Sequence, residues 1–315
     1  MFQLRKILVP VDFSANSAIA VSQAAALARR FHSEITLIHA NECAEASAGS
    51  GPLGYGITST EVQRDEQTAR CRARLDEFAT AELADVHANR IVVAADAADA
   101  IVHRSREEHF DLIVMPTRGN GRFRRFLLGS VAAKVLHDAE CPVWTGAHCV
   151  NAAFRDPADI RRVLCAVNFG QQSSAALRWA AGLASALGAG LTVAHAVLDT
   201  PPNLPERYMF QWHEEAHWGA EERLRTLLND AGVAGEVLVI SDADIPKAIA
   251  SAAAEHDAGL VVVDGDELAD HRQHGVGQVA VVDRRGAETL DLAYDVVAEV
   301  ADEAAVHRRQ LGERR

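Results

Sequence analysis

The feature that most constrains the fold of this chain is an internal repeat. Residues 5–40 (RKILVPVDFSANSAIAVSQAAALARRFHSEITLIHA) align without a gap with residues 161–196 (RRVLCAVNFGQQSSAALRWAAGLASALGAGLTVAHA). Each segment begins with an apolar run, continues with helical periodicity and ends with a second apolar run, which is the pattern of one strand–helix–strand unit. This self-similarity predicts two copies of one domain in tandem, and 315 residues leave enough room for both.

The rest of each copy alternates strand and helix patterns. Its strands read as apolar throughout, which is typical of parallel strands that helices cover on both faces. The chain is therefore predicted to be α/β, with parallel sheets. The further predicted strands are 90–95, 111–115, 141–145, 236–240, 259–263 and 278–282, and the further predicted helices are 61–84, 98–108, 130–138, 206–231 and 245–256.

Residues 112–130 (LIVMPTRGNGRFRRFLLGS) carry the strongest indication of a ligand site. They read as a buried strand, a basic loop that contains Gly119, and Gly129-Ser130 at the start of a helix. Backbone N–H groups and the positive end of the helix dipole at such a start favour a bound phosphate. The alternative is a surface loop with solvated charges, since glycine-rich loops are common. The positive charges of the loop are Arg118, Arg122, Arg124 and Arg125.

Charge and composition disfavour several classes of partner. Residues 151–315 carry 26 acidic and 15 basic side chains, which argues against binding to nucleic acid or to an anionic membrane. No run approaches the roughly 20 apolar residues of a membrane span, and the N-terminus does not read as a signal peptide. The five cysteines form no CxxC pair, which predicts a reducing, cytoplasmic location.

The loop resembles the ATP-binding motif of universal stress proteins. That motif is Gly-x2-Gly-x9-Gly-(Ser/Thr) after the fourth strand, and its latter part matches Gly119, nine further residues and Gly129-Ser130. Residues 127–143 (LLGSVAAKVLHDAECPV) are similar to the helix and final strand of the family. One departure is Pro116, which replaces the first glycine of the motif and removes a backbone N–H.

This resemblance implies a fold and a ligand. The implied fold is two tandem flavodoxin-like, Rossmann-like domains over 1–147 and 158–285, each with a parallel five-stranded sheet of order 3-2-1-4-5. In open α/β sheets, ligands bind at the carboxyl ends of the strands where the strand order reverses. Here that point lies between the first and fourth strands. The implied ligand is ATP or a related adenine nucleotide, with or without Mg²⁺.

The resemblance also implies which residues hold the nucleotide. Pro10-Val11-Asp12 matches the position where the family ends its first strand on an aspartate. Two other interpretations stay open, because Asp12 can cap the helix that follows it and Met115 can belong to the core. The resemblance implies that Val11, Ala40 and Met115 line the adenine with Asp12 near it, and that Gly119, Gly129, Ser130 and Val131 hold the ribose and phosphates. Pro10, next to Val11, and Arg118, which adds positive charge to the loop, complete the residues expected to bind the nucleotide.

The second copy has lost these features. Asn168 replaces the aspartate, and no Gly-x9-Gly-Ser follows the strand at 259–263. The segment after that strand is acidic and would repel phosphates, so this copy is predicted to serve packing and pairing. The final strands of the two copies are candidates to pair, as final strands do between family subunits; a homodimer is the alternative. Acidic residues of the segment are Asp264, Asp266, Glu267 and Asp270.

Residues 213–217 (HEEAH) satisfy the zinc motif H-E-x-x-H on a predicted helix. His213 and His217 would bind the metal and Glu214 would act as general base. The sequence offers no identifiable third ligand, so no metal site and no catalytic residue are expected. Three hypotheses remain, namely an ATP-binding regulator of the stress response, a nucleotide-independent interaction module, and a metallohydrolase. Residues 286–315 are predicted to form a helical tail outside the family fold.

Overall fold

The computed structural model describes residues 2–41, 61–117, 129–146, 157–198, 209–264 and 279–283. The described residues form two compact units. The first comprises residues 3–41, 61–117 and 129–141, and the second comprises Phe2 and the described residues from 142 onward. The predicted tail over 286–315 lies outside the described residues, and the predicted domain boundaries stay a prediction.

The first unit is an α/β layer structure. Its described strands are all parallel in the order β3-β2-β1-β4. Right-handed crossovers put α1 and α2 on one face of this sheet and α3 and α4 on the other, and α3 packs against α4. Its elements are β1 (Lys6–Pro10), α1 (Ala15–Phe31), β2 (Glu34–Ala40), α2 (Glu61–Glu77), β3 (Ala88–Val93), α3 (Ala97–Glu107), β4 (Leu112–Pro116) and α4 (Ser130–Asp138).

Apolar burial explains why these segments form a sheet. The central residues of β1 and β4 are fully buried, as expected for strands that helices cover on both faces. Helix α1 has an alanine-rich inner face, which lets it pack closely on the sheet. The helix begins at the N-cap Ser14 and ends at His32, which adopts the left-handed conformation with φ of 58°.

The second unit repeats this arrangement. The order β8-β7-β6-β9, with parallel pairing throughout, is the same as β3-β2-β1-β4 in the first unit. The predicted fold class, two α/β repeats of one flavodoxin-like fold, is therefore confirmed. Its elements are β5 (Val143–Gly146), β6 (Arg162–Ala166), α5 (Ser173–Leu187), β7 (Gly190–Leu198), α6 (Met209–Ala231), β8 (Glu236–Asp242), α7 (Ile245–Glu255), β9 (Leu260–Asp264) and β10 (Val279–Asp283).

The last strand of the second copy departs from the prediction. Strand β10 runs antiparallel to β9, so a fully parallel five-stranded sheet is wrong for this copy. A parallel return needs a crossover of about a dozen residues or more, usually with a helix. Residues 265–278, which join β9 and β10, are close to that minimum, whereas residues 117–142 connect β4 and β5, so an antiparallel return is the easier one here. Strand β10 also pairs with β5, in parallel, which confirms the predicted pairing of the final strands.

The helix predicted over residues 61–84 is too long at its C-terminal end. Helix α2 stops at Glu77, and Ala79 adopts a left-handed conformation with φ of 51°. A residue with positive φ cannot continue a right-handed helix. Leu83 is nevertheless buried, which explains why the helical pattern of apolar residues extends past the helix end.

Candidate functional site

The candidate site lies at the carboxyl ends of β1, β2 and β4. Strand β1 pairs with β2 on one side and with β4 on the other, so the strand order reverses here. Pro10 pairs with Ile38, two residues before Ala40, and continuing the register of β4 places Met115 beside Pro10. Because side chains alternate across a strand, Pro10, Ala40 and Met115 share one face. Met115 is 4% exposed, so it also belongs to the core.

Val11 and Ala40, at this edge of the sheet, differ in how their backbone N–H and C=O groups are used. The N–H of Val11 donates to the carbonyl of Ile38 at 2.9 Å, and its own carbonyl lies 2.7 Å from Nδ1 of His39. Val11 therefore uses both backbone groups within the protein. The N–H of Asn41 donates to the carbonyl of Val93 on β3. Because the backbone groups of successive residues in a strand point to opposite neighbours, the N–H and C=O of Ala40 point toward the β1 side, beyond the last residue of β1.

Asp12 is tied to the start of α1. Its Oδ1 accepts hydrogen bonds from the N–H of Ser14 at 3.0 Å and from the hydroxyl of Ser17. Ser14 is the N-cap, and its hydroxyl accepts from the N–H of Ser17 at 3.0 Å. Asp12 thus helps to cap α1 from the sequence position predicted to lie near the nucleotide. These bonds fix the carboxylate at the end of β1.

The start of α4 is joined to the end of β4. The N–H of Gly129 donates to the carbonyl of Thr117 at 2.8 Å, which closes the base of the loop between them. The first helical hydrogen bond runs from Ala133 to Gly129 at 2.9 Å, so helix geometry gives no partner to the N–H groups before it. Those groups belong to Ser130, Val131 and Ala132.

The electrostatics of this helix start suit an anion. The side chains of its first turn include no acidic residue, and Ser130 is exposed. The N-cap Gly129 has no side chain that would compete for the N–H groups, and its φ of −72° is ordinary extended backbone. Of the residues predicted at the site, Arg118 and Gly119 lie outside the described residues. The others lie at the strand ends or at the start of α4.

The same edge of the second copy is occupied by a carboxylate. The pairing registers place Asp264 where the first copy has Pro116. Asp264 is 4% exposed and accepts hydrogen bonds from the N–H of Asn168 at 3.2 Å and from the hydroxyl of Ser173. The side-chain oxygen of Asn168 accepts from the N–H of Gly170 at 2.6 Å. The polar groups at this strand end are therefore engaged with one another.

Sequence reasoning missed an aromatic cluster that occurs in both copies. In the first copy we call it the aromatic clamp, and it consists of Phe13, His39, Arg74 and Phe78. The ring of Phe13 lies 4.4 Å from that of His39 and 5.6 Å from that of Phe78, between ring centroids. The guanidinium of Arg74 lies 4.1 Å from the centroid of the Phe13 ring, a cation–π distance.

The second copy repeats the clamp with Phe169, His195 and Arg223. The Phe169 and His195 rings are 4.3 Å apart, and Arg223 lies 4.0 Å from the Phe169 centroid. His195 Nδ1 lies 2.7 Å from the carbonyl of Val167, as in the first copy. The signal that would have found the cluster is the repeat itself, which aligns the two phenylalanines and the two histidines.

The H-E-x-x-H motif lies on α6. Nε2 of His217 is hydrogen-bonded to the hydroxyl of Ser241 on β8, and the ring of His213 contacts that of Trp212. Within the described segments, no group of three or more His, Cys, Asp or Glu residues is placed to hold a metal ion. The histidine pair thus makes contacts within the protein and gains no third ligand from the described residues.

Two of the described cysteines, Cys141 and Cys165, do not offer a reactive thiolate. Burial raises the pKa of Cys141 to about 12, against a smaller opposite effect of a hydrogen bond with Ser105. Burial also raises the pKa of Cys165, with a further contribution from the nearby charge of Asp264. Both thiols stay protonated near neutral pH. Among the described helices, none has both the length and the apolar composition of a membrane-spanning helix.

Comparison with known proteins identifies the repeated fold. The model of the universal stress protein family matches twice, over residues 3–145 and 159–281. A universal stress protein of Mycolicibacterium smegmatis is 30% identical over 220 residues, which cover 68% of this chain and 70% of that protein. One of Methanocaldococcus jannaschii is 29% identical over 139 residues, which cover 44% of this chain and 79% of that protein.

A solved structure shows the same fold. The crystal structure of a universal stress protein from Archaeoglobus fulgidus matches 90% of this chain and 100% of its own, with a TM-score of 0.57 and 21% identity. The resemblance predicted from the loop motif and the repeat is confirmed.

Proposed function

Because this chain belongs to the universal stress protein family, we propose that its first copy binds ATP or a related adenine nucleotide and that its second copy binds none. The protein would then act as a nucleotide-dependent regulator of a stress response in the cytoplasm. The observation that carries the proposal is the start of α4, whose N–H groups at Ser130 and Val131 have no helical partner and lie next to the end of β4.

The geometry favours a division of roles at the site. The backbone of Ala40 points past the end of β1 and can hydrogen-bond the edge of a base, while Pro10 and Met115 give an apolar wall on the same face. The start of α4 favours phosphate through its N–H groups and dipole. Mg²⁺ would accompany the triphosphate, because it is usually held by phosphates with one or two carboxylates.

The second copy lacks the features that we propose to bind the nucleotide in the first copy. Asp264 is buried at the corresponding strand end and already accepts the local hydrogen bonds of Asn168 and Ser173. A phosphate there would face a carboxylate in a partly desolvated place, where like-charge repulsion is large. We therefore propose one nucleotide per chain.

A nucleotide-independent interaction module is the second candidate, and specific observations favour it. The N–H of Gly129 and the Oδ1 of Asp12 are both engaged within the protein, and Pro116 has no N–H to donate. Three groups at the expected nucleotide site are thus occupied or missing. Whether the purified protein carries or binds an adenine nucleotide decides between the two candidate functions.

The test has two parts. Freshly purified protein is denatured and the released small molecules are identified by mass spectrometry. The same preparation, freed of ligand, is then titrated with ATP and Mg²⁺ by calorimetry. We expect an adenine nucleotide in the first part and one site per chain in the second. Two sites per chain would contradict the assignment to the first copy, and no binding in either part would favour the interaction module.

A further inference from the structure

Phe13 has an unusual backbone conformation at the edge of the candidate site. It follows Asp12 and precedes Ser14, the N-cap of α1, and its φ is 60°. This left-handed conformation is unfavourable for an L residue with a bulky side chain, and such residues persist only where their surroundings hold them. Phe169 has the same conformation in the second copy, with φ of 63°.

The aromatic clamp holds Phe13 on the face of the sheet opposite to the candidate site. His39 precedes Ala40 on β2, so its side chain lies on the opposite face from the residues of the candidate site. On that face the ring of Phe13 packs against His39 and lies under Arg74 of α2. His39 in turn contacts the carbonyl of Val11 through Nδ1. The clamp therefore restrains the backbone on both sides of Asp12.

We infer that Phe13 is a positioning residue for the nucleotide site, and this inference rests on the function proposed above. Its clamped ring fixes the turn that brings the N–H of Ser14 to Oδ1 of Asp12, at 3.0 Å. Without the ring, rotation at residue 13 separates these two atoms. The carboxylate then moves away from the end of β1, beside which the backbone of Ala40 is proposed to meet the base.

The duplication provides a matched control within one chain. The second copy has the same phenylalanine, histidine and arginine cluster, but its strand ends lack the proposed nucleotide site. Phe13→Gly removes the ring and keeps a residue for which positive φ is easy. Phe169→Gly makes the same change in the second copy. Phe13→Tyr keeps an aromatic ring over which Arg74 can lie.

The experiment measures ATP affinity by calorimetry well below the melting temperature of every variant. We expect Phe13→Gly to weaken binding about tenfold or more, the scale of one or two lost hydrogen bonds to a charged group. We expect Phe169→Gly to leave the affinity within about twofold and Phe13→Tyr within about threefold of the wild type. Hydrogen exchange at the amides of Ser14 and Ser17 is measured in parallel, and Phe13→Gly should speed it.

The outcomes separate this inference from the proposed function. If the wild type binds ATP and Phe13→Gly binds equally well, the positioning role is wrong and the proposed function stands. Equal losses in Phe13→Gly and Phe169→Gly would also contradict it, because the effect would then reflect general stability. If the wild type binds no nucleotide, the proposed function fails and the inference fails with it.

Discussion

The two copies of the fold differ most clearly in where they keep a carboxylate. In the first copy the acid, Asp12, follows the first strand, and Pro116 ends the fourth. In the second copy Asn168 follows the first strand and the acid, Asp264, ends the fourth. The acid therefore lies on different strands in the two copies. In the first copy the end of the fourth strand, where we propose the nucleotide to bind, carries no acid, and in the second copy it carries a buried acid that is hydrogen-bonded within the protein.

Hydrogen bonding explains why the two arrangements behave differently. The Asp12 carboxylate is bound to the start of the next helix, through Ser14 and Ser17, so it lies at the margin of the strand ends. The Asp264 carboxylate reaches across to the neighbouring strand end and is nearly fully buried. Burial of a carboxylate is tolerated only when hydrogen bonds satisfy it, and Asn168 and Ser173 provide them.

The largest expected effect is a loss of ATP affinity when a side chain is placed at the proposed phosphate site of the first copy. Gly129→Val places a branched side chain at the N-cap of α4, where the phosphates are proposed to approach. The backbone there is extended, with φ of −72°, which valine can adopt without backbone strain. We expect ATP affinity to fall by at least about a hundredfold, or roughly 2.7 kcal/mol, while the far-UV circular dichroism stays unchanged.

The control for this variant is Gly219→Val on α6, where an added Cβ meets no atom within 4 Å. It should leave the affinity unchanged. Undiminished binding in Gly129→Val would show that the phosphates lie elsewhere. The start of α4 has no counterpart in the described part of the second copy. That result would therefore also remove the main reason for placing the nucleotide in the first copy.

A second prediction tests the exchange of carboxylates directly. Asn168→Asp gives the second copy the acid of the first copy while Asp264 remains. Both carboxylates would then compete for the hydroxyl of Ser173, which lies within hydrogen-bond distance of each side chain. We expect a loss of about 2 kcal/mol in the free energy of unfolding at pH 7, from one unsatisfied buried acceptor and like-charge repulsion.

Asp264→Asn in the same chain should restore most of that loss, because it removes the competing charge. The matched change in the first copy, Asp12→Asn, keeps an acceptor oxygen for Ser14 and should cost less than about 1 kcal/mol. Denaturant unfolding of the four proteins measures these differences. Equal stability of Asn168→Asp and the wild type would show that the two strand ends are not in competition.

The sequence predicted the parts of this comparison that depend on local pattern. The ungapped repeat predicted the shared strand order, and Gly129-Ser130 predicted a helix start because small residues and hydroxyls favour that position. The role of Asp264 was not predictable in the same way. Its position opposite Asn168 follows from the pairing of β6 with β9, which joins residues about 100 apart in the chain.

Two further features lay beyond sequence reasoning for a related reason. The arginines of the clusters, Arg74 and Arg223, lie outside the aligned repeat and reach the phenylalanines only through packing of α2 and α6. The antiparallel direction of β10 depends on which strand it meets after a short connection. Local propensity and periodicity predict neither of these features.

A third prediction concerns a single hydroxyl in the first copy. Ser130→Ala keeps the start of α4 and its N–H groups but removes the exposed side-chain donor. A hydrogen bond to a charged group contributes about 1.5 kcal/mol, so ATP affinity should fall about tenfold. Calorimetry with Ser130→Thr as the conservative variant checks it, since threonine retains the hydroxyl. Equal losses in both variants would contradict the role of the hydroxyl, because threonine retains it.

The smallest expected effect is the pH dependence of stability that arises from His195 in the second copy. Burial lowers the pKa of His195, the charge of Arg223 lowers it further, and the hydrogen bond to the Val167 carbonyl opposes them. The unfolded chain therefore takes up the proton first, near its ordinary value of about 6.5. As pH falls through that value the free energy of unfolding decreases, until the folded state is protonated as well. NMR titration of the ring signals, with the His195 signal assigned by its loss in His195→Asn, should give a midpoint below about 6.5. A midpoint at or above that value would mean that the ring is solvated in the folded protein, and the second clamp would then be looser than its ring and guanidinium distances indicate.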